Sequence, residues 1–123
     1  MNVSLERGGR FRAVGMRPNA HKCAAMRTKI YPYQVRIDAT DEKLTPEGYI
    51  LDNALVQGYF DKRWGKDAGT WEAVSCEVLA ITAAKELCGM LMRQGVSVRK
   101  VLCRIRGSNG AWIEADCEPK DVN

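Results

Sequence analysis

Apolar residues recur at helical spacing from Thr70 to Gly95, the longest such run in the chain. Its apolar positions are Val74, Val78, Leu79, Ile81, Leu87, Cys88, Met90 and Leu91. Together they form a stripe wide enough for a helix that lies across a sheet. Thr70 can cap the start of this helix, and Gly95 can take the left-handed conformation that ends it. The pattern therefore predicts one long helix over residues 70–95.

Strict alternation of apolar and polar residues marks the strands. Residues 30–39 alternate at period two, as do 98–106 and 111–117, and the turn sequence GSNG separates the last two segments. The last two segments are therefore predicted to form a hairpin, with Val101, Cys103 and Ile105 on its buried face. Pro32 cannot donate to a ladder, so the 30–39 strand is expected to begin there or to run along an edge.

The rest of the chain completes an α+β order. A first helix is predicted from Asp52, as its N-cap, to Trp64, and a short strand over 10–14. Residues 15–29 are interpreted as a loop, residues 1–9 as a flexible arm and residues 119–123 as a tail. The prediction is a single domain over 10–118 with the order ββααββ. It consists of an antiparallel sheet with both helices on one face.

Composition narrows the class of protein without naming a function. The 123 residues are 46% hydrophobic and 28% charged, and the net charge is +4. These values fit a compact domain that favours anionic partners without the basic density of a dedicated DNA-binding domain. No apolar run is long enough to span a bilayer, and no signal peptide is recognisable, so a cytoplasmic location without membrane association is expected. The five cysteines contain no CxxC pair and are interpreted mainly as small buried residues.

His21 is the only histidine, and it excludes sites that require two or three imidazoles. Together with Cys23 it resembles half of a catalytic pair, although no orienting acid is evident nearby. No metal and no cofactor are expected.

Several motifs resemble one known fold in their order and spacing. The order ββααββ is that of the tunnelling fold (T-fold), and three segments resemble its 6-pyruvoyl-tetrahydropterin synthase and 6-carboxy-tetrahydropterin synthase branch. YQVRIDA at 33–39 looks like a family strand, and GYILDNALVQGYF at 48–60 looks like the glycine and aspartate turn into helix one. SCEVLA at 75–80 is similar to the start of the second family helix and aligns the family glutamate with Glu77.

The chain departs from that family where the chemistry would lie. The positions of two zinc-binding histidines fall on Lys29 and Tyr31, and Cys23 lies near the position of the catalytic cysteine. The segment that carries the pterin-anchoring glutamate reads Arg104-Ile105-Arg106-Gly107. A carboxylate accepts the paired N–H groups of a pterin or guanine, whereas arginine only donates and suits phosphate or carboxylate.

The resemblance therefore implies a catalytically degenerate homo-oligomer that binds an anionic small molecule of the nucleotide, purine or pterin kind. Such a protein would be suited to sensing or sequestering its ligand, and an origin in a phage or other mobile element is compatible with it. The predicted ligand-binding residues are Lys29, Tyr31, Glu77, Arg104 and Arg106.

Plainer interpretations stay open for each predicted ligand-binding residue. Arg104 and Arg106 would fit a solvated strand face balanced by Glu114 and Asp116, and Glu77 would fit ordinary first-turn helix charge. Lys29 and Tyr31 would fit a surface lysine and an edge aromatic.

Two other function classes also stay open. One is a metal-independent pterin-type enzyme that uses Cys23 and His21. The other is a nucleic-acid or protein-binding module in which basic residues near Phe11 contact a partner.

Overall fold

The computed structural model describes residues 1–17, 30–40, 51, 54–107 and 110–122. The strands are β1 (Asn2–Arg12), β2 (Met16–Arg17), β3 (Ile30–Thr40), β4 (Trp71–Glu72), β5 (Val98–Arg106) and β6 (Trp112–Cys117). The α-helices are α1 (Leu55–Arg63) and α2 (Cys76–Arg93), and a 3-10 helix covers Pro119–Asp121. A four-stranded sheet has the order β1-β3-β5-β6 with antiparallel neighbours, and β2 and β4 form a small parallel pair. The predicted α+β class and antiparallel sheet are confirmed.

One face of the main sheet is buried, as the alternation predicts. Val101, Cys103 and Ile105 are buried on β5, opposite Ile37, Val35 and Tyr33 of β3. Helix α1 contributes Phe60, whose ring stacks on Phe11 and Tyr33. The buried residues of α2 belong to the same hydrophobic cluster as those strand residues. Both helices therefore cover this face of the sheet, and the other face is open.

The predicted N-terminal arm is wrong, because residues 2–9 belong to the long edge strand β1. Val3 and Leu5 pack partly against the core, and the whole length of β1 pairs with β3. Gly9 lies where a Cβ atom would approach Tyr33 Oη to 2.5 Å, so glycine is needed here for close packing rather than for flexibility. The predicted C-terminal tail, residues 119–123, also contains regular structure, since the 3-10 helix covers Pro119–Asp121.

Helix α2 begins later than the sequence pattern predicts. Thr70 does not cap it, since Trp71 and Glu72 form β4 and Ser75 is the N-cap, accepting a hydrogen bond from Val78 N at 3.1 Å. Arg93 lies in the last turn, and Gly95 follows with a positive φ of 82°, as expected.

The buried face of α2 is also rotated from the predicted stripe. Val78 and Ile81 are 47% and 46% exposed, whereas Ala80, Ala83 and Ala84 are buried. Small residues allow the helix to approach the sheet closely, and a stripe drawn through large side chains alone misses them.

Pro32 occupies an interior strand, since β3 lies between β1 and β5. The alternative of an edge strand is therefore wrong. Pro32 lies opposite Arg10, whose carbonyl oxygen accepts a hydrogen bond from Gln57 Nε2 at 3.0 Å. The described pairing of β3 with β5 begins only at Tyr33. The missing N–H of Pro32 is thus not required by either neighbouring strand.

Candidate functional site

The open face of the main sheet carries charged side chains from all four strands. Cross-strand register places Gly8, Gln34, Arg104 and Glu114 in one row across the sheet. The next row on this face, two residues further along the strands, consists of Arg10, Pro32, Arg106 and Trp112. Both rows lie near the end of the sheet where β5 ends.

Arg104 is held by several contacts on this face. Its Nη1 donates to Gln34 Oε1 at 2.7 Å, and its guanidinium carbon lies 4.9 Å from the centre of the Trp112 ring. Arg104 Nε lies 3.5 Å from Glu114 Oε1 but makes no hydrogen bond. A guanidinium fixed in this way keeps its orientation, which is what recognition of a planar anion requires.

Arg106 is held differently, by the backbone of the turn. Its Nε donates to Gly110 O at 3.1 Å, and its guanidinium carbon lies 5.8 Å from the centre of the Trp112 ring. Within the described part of the chain, no carboxylate pairs with Arg106. Its charge is therefore oriented but not neutralised.

Arg10 and Arg12 extend the positive charge to β1. Both alternate onto the open face, both are exposed, and neither makes an ion pair with a described residue. The short ring of Pro32 lies between Arg10 and β5, so no long side chain fills that space. We call Arg10, Arg12, Arg104 and Arg106 the arginine end. The backbones of Arg10 and Arg106, which share a row, are about 10 Å apart, two strand spacings.

Charges at the other end of the open face are paired with one another. Arg36 Nε contacts Asp38 Oδ1 at 3.0 Å, and Lys100 Nζ lies 3.9 Å from Asp116 Oδ2. The hydrogen bond from Ser4 Oγ at 2.6 Å, together with Arg36, lowers the pKa of Asp38. We call Arg36, Asp38, Lys100 and Asp116 the paired end, where the opposite charges largely cancel.

A groove of about 430 Å³ crosses the open face between the two ends. Gly8 contributes no side chain, and the nearest atom to an added Cβ would be Tyr33 O at 3.8 Å, so the floor is open there. Arg104 and Arg36 line the groove from opposite sides, with Gln34 between them. The site can therefore hold an anionic group beside Arg104 and a planar group along the strand surface.

The structure does not bring the predicted ligand residues together. Tyr31 lies in the core with 0% exposure, stacked on Phe11, so it does not share a surface with Arg104. Glu77 is exposed on α2, in the helical layer on the other side of the sheet. Lys29, His21, Cys23 and the predicted cap Asp52 lie outside the described residues. Among the described members of the set, Arg104 and Arg106 lie on the same face of β5.

Sequence reasoning missed Trp112, Gln34, Arg10 and Arg12 as neighbours of this pair. Alternation already places Trp112 opposite Arg106 once the hairpin is accepted, so its contribution was readable from the sequence. Arg10 and Arg12 were placed in the predicted strand over 10–14, but the sequence did not show that this strand pairs with residues 30–40. Phe11, near which basic residues were predicted to contact a nucleic-acid or protein partner, is itself buried.

No protein-family model and no curated protein matches the sequence. Neither helix of the described chain is long and apolar enough to cross a membrane. Within the same described ranges, no cluster of three or more His, Cys, Asp or Glu side chains is arranged to hold a metal ion.

Proposed function

We propose that the protein is a homo-oligomer, T-fold-like in its arrangement, which binds an anionic small molecule of the nucleotide or purine-like kind without transforming it. The observation that carries this proposal is the geometry of Arg106. Its guanidinium is oriented by Gly110 O, lies near the Trp112 ring and has no carboxylate partner among the described residues. A ligand phosphate would complete its hydrogen bonding.

The neighbouring groups suit the rest of such a ligand. The amide of Gln34 and the carboxylate of Glu114 lie next to Arg104 and offer hydrogen-bonding groups for ring nitrogens and carbonyls. A planar base can lie near the Trp112 ring, beside the guanidinium groups of Arg104 and Arg106. The ligand class thus follows from an anion site beside an aromatic ring.

Titration calorimetry with guanosine monophosphate, guanosine and inorganic phosphate tests the site. We expect guanosine monophosphate to bind most tightly and Arg106→Gln to weaken it at least tenfold. Lys100→Gln is the matched control, because Lys100 is on the same strand as Arg106, pairs with Asp116 and does not line the groove, and it should leave the affinity within twofold. Equal effects of the two substitutions would contradict the proposal.

Assembly is supported by the two edges of the sheet. Strands β1 and β6 each have one neighbour within the described chain, and β1 is 11 residues long. Long exposed edges favour pairing with another strand. Native mass spectrometry of the untagged protein should give a closed oligomer that releases a phosphorylated mass on denaturation. A bare monomer would remove the oligomeric part of the proposal and leave the calorimetric test standing.

A second candidate function is binding of single-stranded nucleic acid, favoured by the unpaired Arg10 and Arg12 on β1. These two residues spread the positive charge beyond the span of a single phosphate. Fluorescence anisotropy of a labelled oligothymidylate over a salt series distinguishes the two functions. Binding of the oligothymidylate should weaken steeply as the salt concentration rises, and it should also weaken in the Arg10→Gln, Arg12→Gln double variant. Binding of a small ligand should depend much less on salt and on these two substitutions.

The metal-independent enzyme stays a separate prediction, since Cys23 and His21 lie outside the described residues. It requires turnover of a pterin precursor that is lost in Cys23→Ala and is insensitive to chelator. Unchanged turnover in Cys23→Ala would remove it.

A further inference from the structure

Apolar residues lie exposed along the outward face of α2. Val78, Ile81 and Met92 are three of the six large apolar side chains that are exposed in the described chain. At the pitch of an α-helix they fall within about 60° of one another around its axis. The buried residues of α2, among them Ala80 and Ala83, lie on the side toward the sheet. The outward face therefore has an apolar stripe of its own, which the fold leaves partly exposed.

One acid and one base flank this stripe at equal distances from Ile81. Glu77 lies four residues before Ile81 and Lys85 lies four residues after it, and both charged side chains are exposed. Because residues at i and i+4 are neighbours on a helix surface, the three side chains form one row along α2. We call Glu77, Val78, Ile81 and Lys85 the α2 patch.

The two charges of the α2 patch are not neutralised within the described chain. Neither Glu77 nor Lys85 makes an ion pair with a described residue, and their spacing is twice the i,i+4 distance at which helical side chains pair. Glu86 and Asp121, which line a groove with Lys85, already accept hydrogen bonds from a side chain of α1 and from the backbone before the 3-10 helix. Both charges of the patch are thus available to another molecule.

The order of these residues is its own complement in an antiparallel helix pair. A twofold axis beside Ile81 places Glu77 of one copy against Lys85 of the other, and the same pairing recurs at the other end. The two Ile81 side chains meet near the axis, and Val78 adds apolar surface on each copy. Such a contact uses the same patch on both subunits, as an isologous interface requires. The i, i+4 rows are also those through which helices most commonly pack.

The charge balance of the α2 patch favours a second copy over a polyanion or an anionic membrane. Glu77 and Lys85 cancel in net charge, and a nucleic acid or anionic lipid surface would be repelled by the glutamate. The long stem of Lys85 can cover apolar surface while its ammonium group reaches a carboxylate. A contact between two single helices is smaller than a standard interface of about 1,200–2,000 Å², so a weak, reversible association is expected.

We propose that the protein self-associates through an antiparallel contact of two α2 patches, with Glu77 and Lys85 paired at both ends and Ile81 at the centre. This proposal rests on the homo-oligomer proposed above and deepens it, because it adds a helical contact to the edges of the sheet. The α2 patch is in the layer opposite the arginine end, so the contact leaves that site open.

Sedimentation equilibrium of charge-reversal variants over a concentration series tests this contact. Glu77→Lys alone, or Lys85→Glu alone, puts like charges opposite each other and should weaken self-association at least tenfold. An equimolar mixture of the two variants restores opposite charges at both ends, so association should return to within threefold of the wild type. Single variants that associate like the wild type, or a mixture that fails to recover, would overturn the proposal.

Two further variants separate the contact from general effects of charge and folding. Ile81→Gln removes the apolar centre at an exposed helical position and should weaken self-association at least tenfold. Lys66→Glu is the matched control, since it makes the same charge change as Lys85→Glu at an exposed residue near Arg10 and Gln57, outside the α2 patch. It should leave association within twofold. Circular dichroism spectra establish that each variant folds, and a folded Ile81→Gln protein with unchanged association would count against the contact.

Failure of this proposal is distinguishable from failure of the function proposed above. A wild-type protein that assembles regardless of the charge reversals would remove the α2 contact and leave assembly through the sheet edges. A wild type that stays monomeric throughout the series would remove both the α2 contact and the oligomeric part of the proposed function. Binding of guanosine monophosphate to Ile81→Gln should stay within twofold of the wild type, because the ligand site is on the other side of the sheet.

Discussion

At the scale of single residues, one amide ties the N-terminal strand to the first helix. Gln57 Oε1 accepts a hydrogen bond from Tyr33 Oη at 2.6 Å, and Gln57 Nε2 donates to Arg10 O at 3.0 Å and Asp61 Oδ1 at 3.1 Å. Gly9 leaves the space that these groups occupy. A glycine pair in the sequence signals only conformational freedom, so these contacts could not be predicted from it.

Gly9→Ala should destabilise the fold by about 1–3 kcal/mol, because the added Cβ would lie 2.5 Å from Tyr33 Oη and 2.7 Å from Gln57 Oε1. Gly8→Ala is the matched control, since its nearest contact would be at 3.8 Å. Urea unfolding measures both free energies. Equal values for the two variants would contradict the packing described for Gly9.

Tyr33 gives the stability of the fold an alkaline dependence. Burial, and secondly the Asp61 carboxylate, raise the pKa of Tyr33 from 10.0 to about 12. The unfolded chain therefore loses this proton first, so the stability from this group is complete below pH 10 and is lost as pH rises through 12. Tyr33→Phe keeps the ring and should cost about 1 kcal/mol at neutral pH.

The difference in unfolding free energy between the wild type and Tyr33→Phe should then shrink as pH rises from 10 to 12. Chemical denaturation at a series of pH values measures it. A difference that stays constant up to pH 12 would show that Tyr33 does not titrate in this way.

At the scale of elements, the sequence predicts the type and approximate position of each helix or strand better than its exact boundaries or which face of a helix is buried. The strict alternation of β3 and β5 was sufficient because each has one buried face. Helix α2 was found, but its start was placed at Thr70 and its stripe was drawn through Val78 and Ile81. Ala80, Ala83 and Ala84 are buried because the helix packs on the sheet through them. A pattern of large apolar side chains cannot predict this tertiary contact.

Ser75→Ala should lower stability by about 1 kcal/mol, because it removes the side chain that accepts from Val78 N at the start of α2. Thr70→Ala tests the sequence-based cap at the same time and should be neutral. Thermal melts under identical conditions compare the two. A larger loss of stability in Thr70→Ala than in Ser75→Ala would indicate that the helix begins at residue 70.

At the scale of the whole molecule, one hydrophobic cluster joins both helices and the main sheet. Cys76, Cys88, Cys103 and Cys117 are buried within it. Burial raises the pKa of Cys88 and of Cys103 to about 12, so neither is a thiolate near neutral pH. Access to these four thiols therefore depends on opening of the core.

Alkylation with iodoacetamide at pH 8 should leave these four cysteines unmodified in the native protein and modify all of them in denaturant. Peptide mass mapping over time gives the rates, with unfolded protein as the reference. Their labelling should accelerate in Gly9→Ala, because that variant opens more often. Fast labelling of any one of the four in the native wild type would contradict its burial.

The candidate site shows the same division between what the sequence reveals and what it does not. Arg104 and Arg106 were found because they alternate on a strand with a clear buried face. Tyr31 was misplaced because a resemblance aligned it with a ligand position, whereas its ring fills the core beside Phe11. Arg10 joins the arginine end through pairing with a strand more than twenty residues away, which no local pattern encodes.

The hydrogen bond from Gln57 to Arg10 also limits how the molecule can aggregate. A foreign strand that adds to the edge of β1 meets an occupied carbonyl at Arg10, so its ladder has to stop before that residue. From Asn2 to Gly8 the remaining edge is roughly 20 Å long at the usual rise of a strand. Fibril growth along this edge would therefore start from a short segment that contains Ser4 and Glu6, a poor nucleus because it is polar and charged.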